Sequence, residues 1–102
     1  MSDASIRDVT TVAGASLGGP AGPDASRCAE AAIEVLSRMV GPDMRLTQIQ
    51  LDVSSRAIGR SEVTVSAYID KRTRSIVFAS VEARTSGELV FRAQALFSRR
   101  GG

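Results

Sequence analysis

An α+β fold, one helix laid against a mostly antiparallel sheet, is what this 102-residue sequence predicts. Three features predict it. One stretch, Asp24 to Val40, repeats its apolar residues at the three-and-four spacing of a helix with a single buried stripe. The chain after Asp43 alternates apolar and polar residues as strands do. The connections between the last three of those stretches are short, which makes them an antiparallel meander.

Residues 1–5 are small and polar and are expected to fray. Ile6 to Val12 can form a short strand with Ile6, Val9 and Val12 as its apolar members. Ala13 to Gly22 (AGASLGGPAG) is a glycine-rich loop. It lacks the Gly-Lys-Ser/Thr ending of a P-loop and the glycine spacing of a dinucleotide site, so it reads as a connection into the helix. The helix begins where Pro23 can stand without a wasted N–H and where Asp24 or Ser26 can cap the first turn. Its expected stripe is Ala25, Cys28, Ala29, Ala32, Ile33, Leu36, Met39 and Val40. Gly41-Pro42 ends it, glycine accepting a left-handed cap and proline refusing to continue.

The next strand, Arg45 to Val53, puts Ile49, Leu51 and Val53 on one face. Ser54 to Arg60 is a loop. In Glu62 to Asp70 the apolar side is Val63, Val65, Ala67 and Ile69. Asp70 to Thr73 is a turn. Ser75 to Thr85 turns Val77, Ala79, Val81 and Ala83 inward. Ser86-Gly87 is a tight turn, and Glu88 to Ser98 sets Leu89, Phe91, Ala93, Ala95 and Phe97 against Val90, Arg92, Gln94, Leu96 and Ser98. The tail, 99–102, is expected to be loose, and 1–102 reads as one domain.

The totals exclude several chemistries. There is no histidine, which removes histidine triads, histidine zinc sites and histidine acid–base catalysis together. Cys28 is the only cysteine. It rules out an internal disulfide, and its place on the apolar stripe reads as a packed thiol rather than a nucleophile. A net charge of +2 is too small to argue for nucleic acid. The only aromatics are Tyr68, Phe78, Phe91 and Phe97, and the phenylalanines alternate with apolar rather than basic neighbours. Residues 1–9 carry no apolar run, so neither a signal peptide nor a membrane span is expected, and a cytoplasmic protein is the default. With Trp absent, the core must be built from small aliphatic side chains. Such a core is modest, and burial against a second copy, as a homodimer or a dimer of dimers, is expected.

From Gln50 to Arg100 the order of parts is specific. Asp52 closes the strand after the helix, and a Ser/Arg/Gly loop follows. Then come a V-x-V-x-A-x-I strand (Val63 to Ile69), a charged turn, a long strand, a G-E-L-V turn (Gly87 to Val90), and an alanine-rich last strand ending in arginine. In this the chain resembles the hotdog-fold acyl-CoA thioesterases, including those of phenylacetate-type pathways, in which a curled antiparallel sheet wraps a long central helix. The resemblance implies a hotdog fold, a dimer formed by edge pairing of strands with sites between subunits, and hydrolysis of an acyl-CoA or another thioester, coenzyme A entering only as part of the substrate. It also places the chemistry at the helix start. There, Ala21-Gly22-Pro23 stands where the family has His-Gly-Gly, and Glu30 stands in the acidic place. The implied roles are a carboxylate, Glu30, as general base or nucleophile, and a backbone N–H supported by the helix dipole that polarises the thioester carbonyl.

The chain departs from that pattern twice. Ala21 replaces the histidine, and Pro23 replaces the second glycine and has no N–H to give. Gly22 or Asp24 is then the candidate donor. On the expected stripe Glu30 lies toward the flank and Glu34 nearly opposite. Glu30 is either a solvated surface charge near Arg27 or a partly buried site carboxylate, whose burial would raise its affinity for a proton. Asp52, Ser54, Arg56, Arg72 and Arg74 are the candidate substrate contacts, the arginines for the phosphates of coenzyme A. The same residues also read as ordinary strand-end charges. No metal site is expected. A non-catalytic hotdog dimer that binds an acyl group, or serves as an assembly module, is the alternative function.

Overall fold

The chain is described by a computed structural model covering residues 7–19, 21–55 and 62–101. A first strand, β1 (Arg7–Ala13), leads through a 3-10 turn (Gly14–Ser16) into a minimal hairpin, β2 (Gly18–Gly19) with β3 (Gly22–Pro23). The helix α1 (Ala25–Val40) follows, then β4 (Met44–Val53), β5 (Glu62–Arg72), β6 (Ile76–Thr85) and β7 (Glu88–Arg99). The five long strands form one antiparallel sheet in the order β1-β5-β6-β7-β4. β1 and β4 are therefore the two edges, and the connection between them carries α1 across one face.

The helix is bounded as its residues dictate. Asp24 is the N-cap, its carboxylate accepting the Arg27 N–H at 3.1 Å. Gly41 leaves the helix at φ 92°, where a side chain is disfavoured, and Pro42 follows. The buried stripe is Cys28, Ala32, Val35, Leu36 and Val40. It is rotated from the expected one: Val35 is inside and Ala25 is exposed. The sheet explains the rotation. Beneath the helix the floor is small, with Ala79 beside Ala95 and Ala67, Val81 and Ala93 in one row across β5, β6 and β7. Phe91 and Phe97 fill the two ends of that floor on β7. Alanines let the helix come close, so the residues aimed straight down are covered first and those on the flank remain partly open.

The inward residues of β5 and β6 are the expected ones. Departures from alternation fall at bulges, where one strand carries an extra residue. In β7, Val90 is buried along with its neighbour Phe91 because the register shifts between Ala83 and Arg84 of β6. In β4 the register shifts between Leu46 and Gln48, so Met44 and Leu46 face the helix on one phase and Ile49, Leu51 and Val53 on the other. Thr47, the extra residue, donates its hydroxyl to the Leu96 carbonyl at 2.8 Å and pins the bulge. The β6–β7 turn is the tight one expected, with Ser86 and Gly87 both at positive φ. Arg99 and Arg100 are tied down more than the composition around them suggests. Arg99 closes β7, its guanidinium donating to the Arg74 carbonyl, and Arg100 donates to the carbonyls of Pro42 and Asp43.

The far face of the sheet is mostly polar. An alternating series of charges crosses it, Asp52 beside Arg92, Arg92 by Glu82 at 3.9 Å, and Glu82 by Arg84 at 3.4 Å. Val9, an apolar member of the first strand, lies on this face with Phe78, both well exposed. The helix side of β1 is instead Asp8, Thr10 and Val12, and Asp8 pairs with Arg38 at 3.8 Å. Among the described residues no helix is long and apolar enough to cross a membrane.

Candidate functional site

The register places the two ends of the sheet. Ala13 pairs with Glu62, and the Thr85 hydroxyl donates to the Glu62 carbonyl, so the end of β1, the start of β5 and the β6–β7 turn share one end. The helix starts there, since the loop that follows Ala13 folds back on it. The other end holds the helix terminus, the β5–β6 turn, the start of β4 and the finish of β7, where Met44 pairs with Arg99.

The glycine-rich loop is a built structure and not slack. Leu17, a lone leucine among glycines, is fully buried beneath the helix start. Its carbonyl accepts the Asp24 N–H at 2.7 Å and lies 3.9 Å from the Cys28 thiol. Gly18 then passes so close to the next strand that a Cβ would strike the Gly22 carbonyl oxygen and come within 2.7 Å of Pro23 Cα. The leucine was the signal available in the sequence for this anchor; composition alone reads the segment as linker.

These contacts bear on each candidate. Gly22 is buried in the β2–β3 pair opposite Gly19. The Asp24 N–H is already given to Leu17. The N–H groups of Ala25 and Ser26 belong to the first turn, where no intrahelical acceptor exists. Cys28 is buried, and loss of water around the thiol, with a smaller contribution from the Asp24 charge, pushes its pKa up to about 11. A thiol so raised carries almost no thiolate at neutral pH, which makes Cys28 a packing residue.

Glu30 lies one and a half turns into α1 and is exposed. The partial burial expected of it is not reached within one chain, because the stripe turns toward Val35 and leaves Glu30 on the back of the helix. Its neighbour one turn on is Ile33, only half covered. At about 3.6 residues per turn, Ala29 and Ile33 fall on the flank away from Arg38, and Arg38 faces β1. That flank is the β4 side.

Asp52 and Ser54 are at the same end of the sheet as the helix start. Asp52 points to the far face, across from Arg92. Ser54 is half-buried, and its N–H donates to the Val90 carbonyl at 2.9 Å. Arg56 lies outside the described residues. Arg72 and Arg74 are at the opposite end, a ten-residue strand away, or roughly 30 Å at the usual rise. There they join Lys71, Arg45, Arg99 and Arg100 in a basic rim that sequence order alone does not reveal. One chain therefore gathers Gly22, Asp24, Glu30 and Ser54 toward one end and keeps Arg72 and Arg74 at the other.

Among the described residues, two hollows are found on the far face. One, about 370 Å³, is lined by Arg7, Thr64, Ser66, Tyr68, Glu82 and Arg84 among others. The other, about 150 Å³, is lined by Gln48, Gln50, Phe78, Gln94, Ala95 and Leu96. Neither includes a helix residue. Among the described residues no group of histidine, cysteine, aspartate and glutamate is arranged to hold a metal ion.

A long helix laid over a five-stranded antiparallel sheet in this order is the hotdog fold. Solved structures share it along nearly the whole chain. The PaaI protein of the E. coli phenylacetic acid degradation operon is 14% identical with a TM-score of 0.75, over 96% of this chain and 74% of its own. A variant of the phenylacetic acid degradation protein PaaI from Thermus thermophilus is 18% identical with a TM-score of 0.74, over 91% and 84%. A hypothetical thioesterase from Streptococcus pneumoniae, solved with coenzyme A, is 15% identical with a TM-score of 0.74, over 99% and 82%. The similarity is one of fold. No protein-family model matches the chain, and no curated protein matches it.

Proposed function

We propose that this chain is a subunit of an acyl-CoA thioesterase whose site forms where α1 meets a second copy. The observation that carries the reading is the position of Glu30. It stands near the start of the helix that leaves the glycine hairpin, exposed on the back of α1 next to half-covered Ile33, where a second copy could cover it. Neighbours in fold support the substrate class, since the S. pneumoniae protein holds coenzyme A and a Streptococcus mutans protein of the same fold holds acetyl-CoA.

In this reading Glu30 takes a proton from water as the water oxygen adds to the thioester carbonyl. The tetrahedral intermediate then collapses, the C–S bond breaks, and coenzyme A leaves as thiolate and recovers a proton. The alternative course has the Glu30 carboxylate add to the carbonyl and the C–S bond break, expelling coenzyme A as thiolate and giving a mixed anhydride, which water opens to the free acid and the Glu30 carboxylate. The carbonyl oxygen, as it gains charge, is met by N–H groups at the helix start, where the dipole favours anions. Gly22 and Asp24 flank that point. The Asp24 N–H serves only if it leaves Leu17, and the first-turn N–H groups of Ala25 and Ser26 adjoin it. Asp52 and Ser54 line the same end, and Arg72 and Arg74 can reach coenzyme A phosphates here only from a second subunit.

The test is hydrolysis of acyl-CoA esters across chain lengths by the native protein and by Glu30→Gln. Loss of the carboxylate should lower kcat by about a hundred- to ten-thousand-fold with folding intact. A change within about threefold removes Glu30 from the chemistry.

A second reading, a hotdog dimer that binds an acyl group without cleaving it, is favoured by one pair of observations. Pro23 has no N–H, and the Asp24 N–H is engaged by Leu17. Saturable coenzyme A binding with no turnover for any acyl chain would select it.

A further inference from the structure

Among the described residues, the large apolar side chains left in the open are Val9 and Phe78, both on the far face of the sheet. Their settings differ. Val9 is on the edge strand β1, whereas Phe78 is on β6, the middle strand, and is 44% exposed. The other aromatics are covered. Phe91 and Phe97 are sealed in the core, and Tyr68 is half-buried with the Arg7 guanidinium 5.8 Å from its ring centre. Phe78 has no such cover, and it lines the open hollow of about 150 Å³.

Strand pairing fixes what stands around that ring. Residues directly opposite on paired strands share a face, so Gln48, Leu96, Phe78 and Lys71 form one row across β4, β7, β6 and β5. Gln50, Gln94 and Ser80 form the next row on one side. Arg45, Ser98 and Ile76 form the next row on the other, toward the basic rim. Gln48, Gln50 and Gln94 are exposed, and their carboxamides have no hydrogen-bond partner among the described residues. Each carboxamide offers donors and an acceptor in one plane. A hydrocarbon ring laid on Phe78 would leave all three unanswered along its edge. A heterocycle with N–H and C=O or C=N groups on its edge would answer them while its face stacks on the phenylalanine. A space of this volume takes a single ring system, so the rest of such a ligand lies outside it.

Charge sets the direction in which it leaves. Beyond Gln50 and Gln94 lies the series Asp52, Arg92 and Glu82, which alternates in sign and balances itself. Roughly 7 Å the other way, two residues at the usual rise, the row of Arg45 and Ser98 opens onto the rim. Lys71 adjoins Phe78 directly. Neither Arg45 nor Lys71 makes an ion pair among the described residues. The acids at that end are Asp43 and Asp70, outnumbered by the cations.

We propose that the Phe78 hollow is a site for a free nucleoside phosphate: the base stacks on Phe78 within the frame of Gln48, Gln50 and Gln94, and the phosphates pass Ser98 toward Arg45 and Lys71. It is separate from the candidate thioester site. No helix residue lines the hollow, and the sheet stands between it and α1. A thioester carbonyl held there would be on the wrong side of the sheet from Glu30. The ligand is therefore bound and not cleaved, and the site does not depend on the thioesterase reading.

The test is titration of the native protein with ADP, followed by calorimetry and by the Phe78 ring signals in NMR spectra. ADP should saturate one site and shift those signals. Adenosine and pyrophosphate, the two parts of the probe, should each bind about tenfold more weakly or worse. Phe78→Ala should raise the ADP Kd about tenfold, within the range that loss of one stacking ring gives. Because that side chain is exposed, the fold should persist, and a circular dichroism spectrum checks it. Arg45→Gln and Lys71→Gln should each raise the ADP Kd about threefold, as loss of an exposed charge contact does, and leave adenosine binding unchanged. Val9→Ala, on the same face outside the hollow, should leave the ADP Kd as it is. Absence of saturable ADP binding, or binding that Phe78→Ala does not weaken, overturns the inference. Coenzyme A or a short oligoadenylate binding through Phe78 more tightly than ADP also overturns it, assigning the ring to the substrate or to nucleic acid. Self-association lost in Phe78→Ala, with no ADP bound, gives the face to a second copy and overturns it as well. Hydrolysis is scored separately: Glu30→Gln should leave ADP binding as it was, so either reading can fail without the other.

Discussion

At the β1 edge the layer between helix and sheet ends mostly in polar groups, Thr10 and Asp8 held by Arg38, with Val12 the one apolar member. At the β4 edge it ends in Leu46, Ile49, Leu51 and Val53, all half-covered. Both strands are hydrogen-bonded along one side only, so their backbones pose the same problem. Their side chains answer it differently. The first edge has its inner corner capped by charge, which water tolerates, and the second offers hydrocarbon, which water does not. The contrast teaches that a single chain can be well packed at its centre and still incomplete on one flank. The incompleteness is directional, and on the helix it falls on the flank of Ala29 and Ile33.

The largest effect that can break this contrast is a charge at the middle of the open edge. In the reading that a second copy covers this edge, Ile49→Asp should raise the dimer Kd at least a hundredfold, because it sets an unpaired carboxylate in the apolar surface to be covered. Thr10→Asp, the comparable change on the helix side of β1, should leave Kd within threefold. Equal sensitivity of the two edges would abolish the distinction.

The covered centre between the edges has its own reporter. Burial holds the Cys28 thiol at about 11 against an ordinary 9.0. Below pH 9 both folded and unfolded chains keep the proton, and the thiol adds no pH dependence. Between about 9 and 11 the unfolded chain loses its proton and the folded chain does not. Stability should therefore fall there with rising pH, by at most about 1.4 kcal/mol per unit. Cys28→Ser should flatten that part of a denaturation-versus-pH curve, and no flattening would mean the thiol is not sheltered.

A smaller effect belongs to the bulge. Thr47→Val keeps the shape and removes the hydroxyl donated to Leu96, and should cost about 1 kcal/mol in chemical denaturation. The smallest belongs to the closed edge. Asp8→Asn breaks an ion pair whose members are both substantially exposed, and should change stability by less than about 0.5 kcal/mol. A loss of about 2 kcal/mol there, well above what exposed pairs give, would show that β1 depends on its charge as β4 depends on its hydrocarbon.

Much of the fold could be read from residues taken singly or in short windows. Asp24 and Gly41-Pro42 bound the helix, the alternation of Glu62 to Ile69 and of Val77 to Ala83 set the inner face, and Ser86-Gly87 marked the last hairpin. The parts that could not be read this way depend on partners far along the chain. The bulges at Thr47 and Val90 arise from register against β7 and β6, which no local window contains. Val9 looks apolar in sequence, yet its phase against Ser66 turns it outward. The helix stripe drifted toward Val35 because the alanine floor decides which residues are covered. For the candidate site, the sequence put Glu30 on the helix near its start, as the structure has it, but neither its full exposure nor the occupied Asp24 N–H was legible, since the acceptor belongs to Leu17 in the loop. The separation of Arg72 and Arg74 from Glu30 is a matter of which end of a strand each occupies, and that follows from topology rather than spacing.

The alanine floor has a consequence for how such a protein can change. With α1 resting on Ala67, Ala79, Ala93 and Ala95, and Phe91 and Phe97 stopping the ends, a flexible hydrocarbon tail has nowhere to lodge between helix and sheet. Any acyl chain this molecule accepts must lie outside the layer that holds the fold together. Selectivity and foldability are then written in different residues. In the thioesterase reading, substitutions at Leu46, Ile49, Leu51 or Ile33 would retune which chain lengths are welcome while the interior stays as it is, and enlargements of the floor alanines would cost stability without opening room for a substrate.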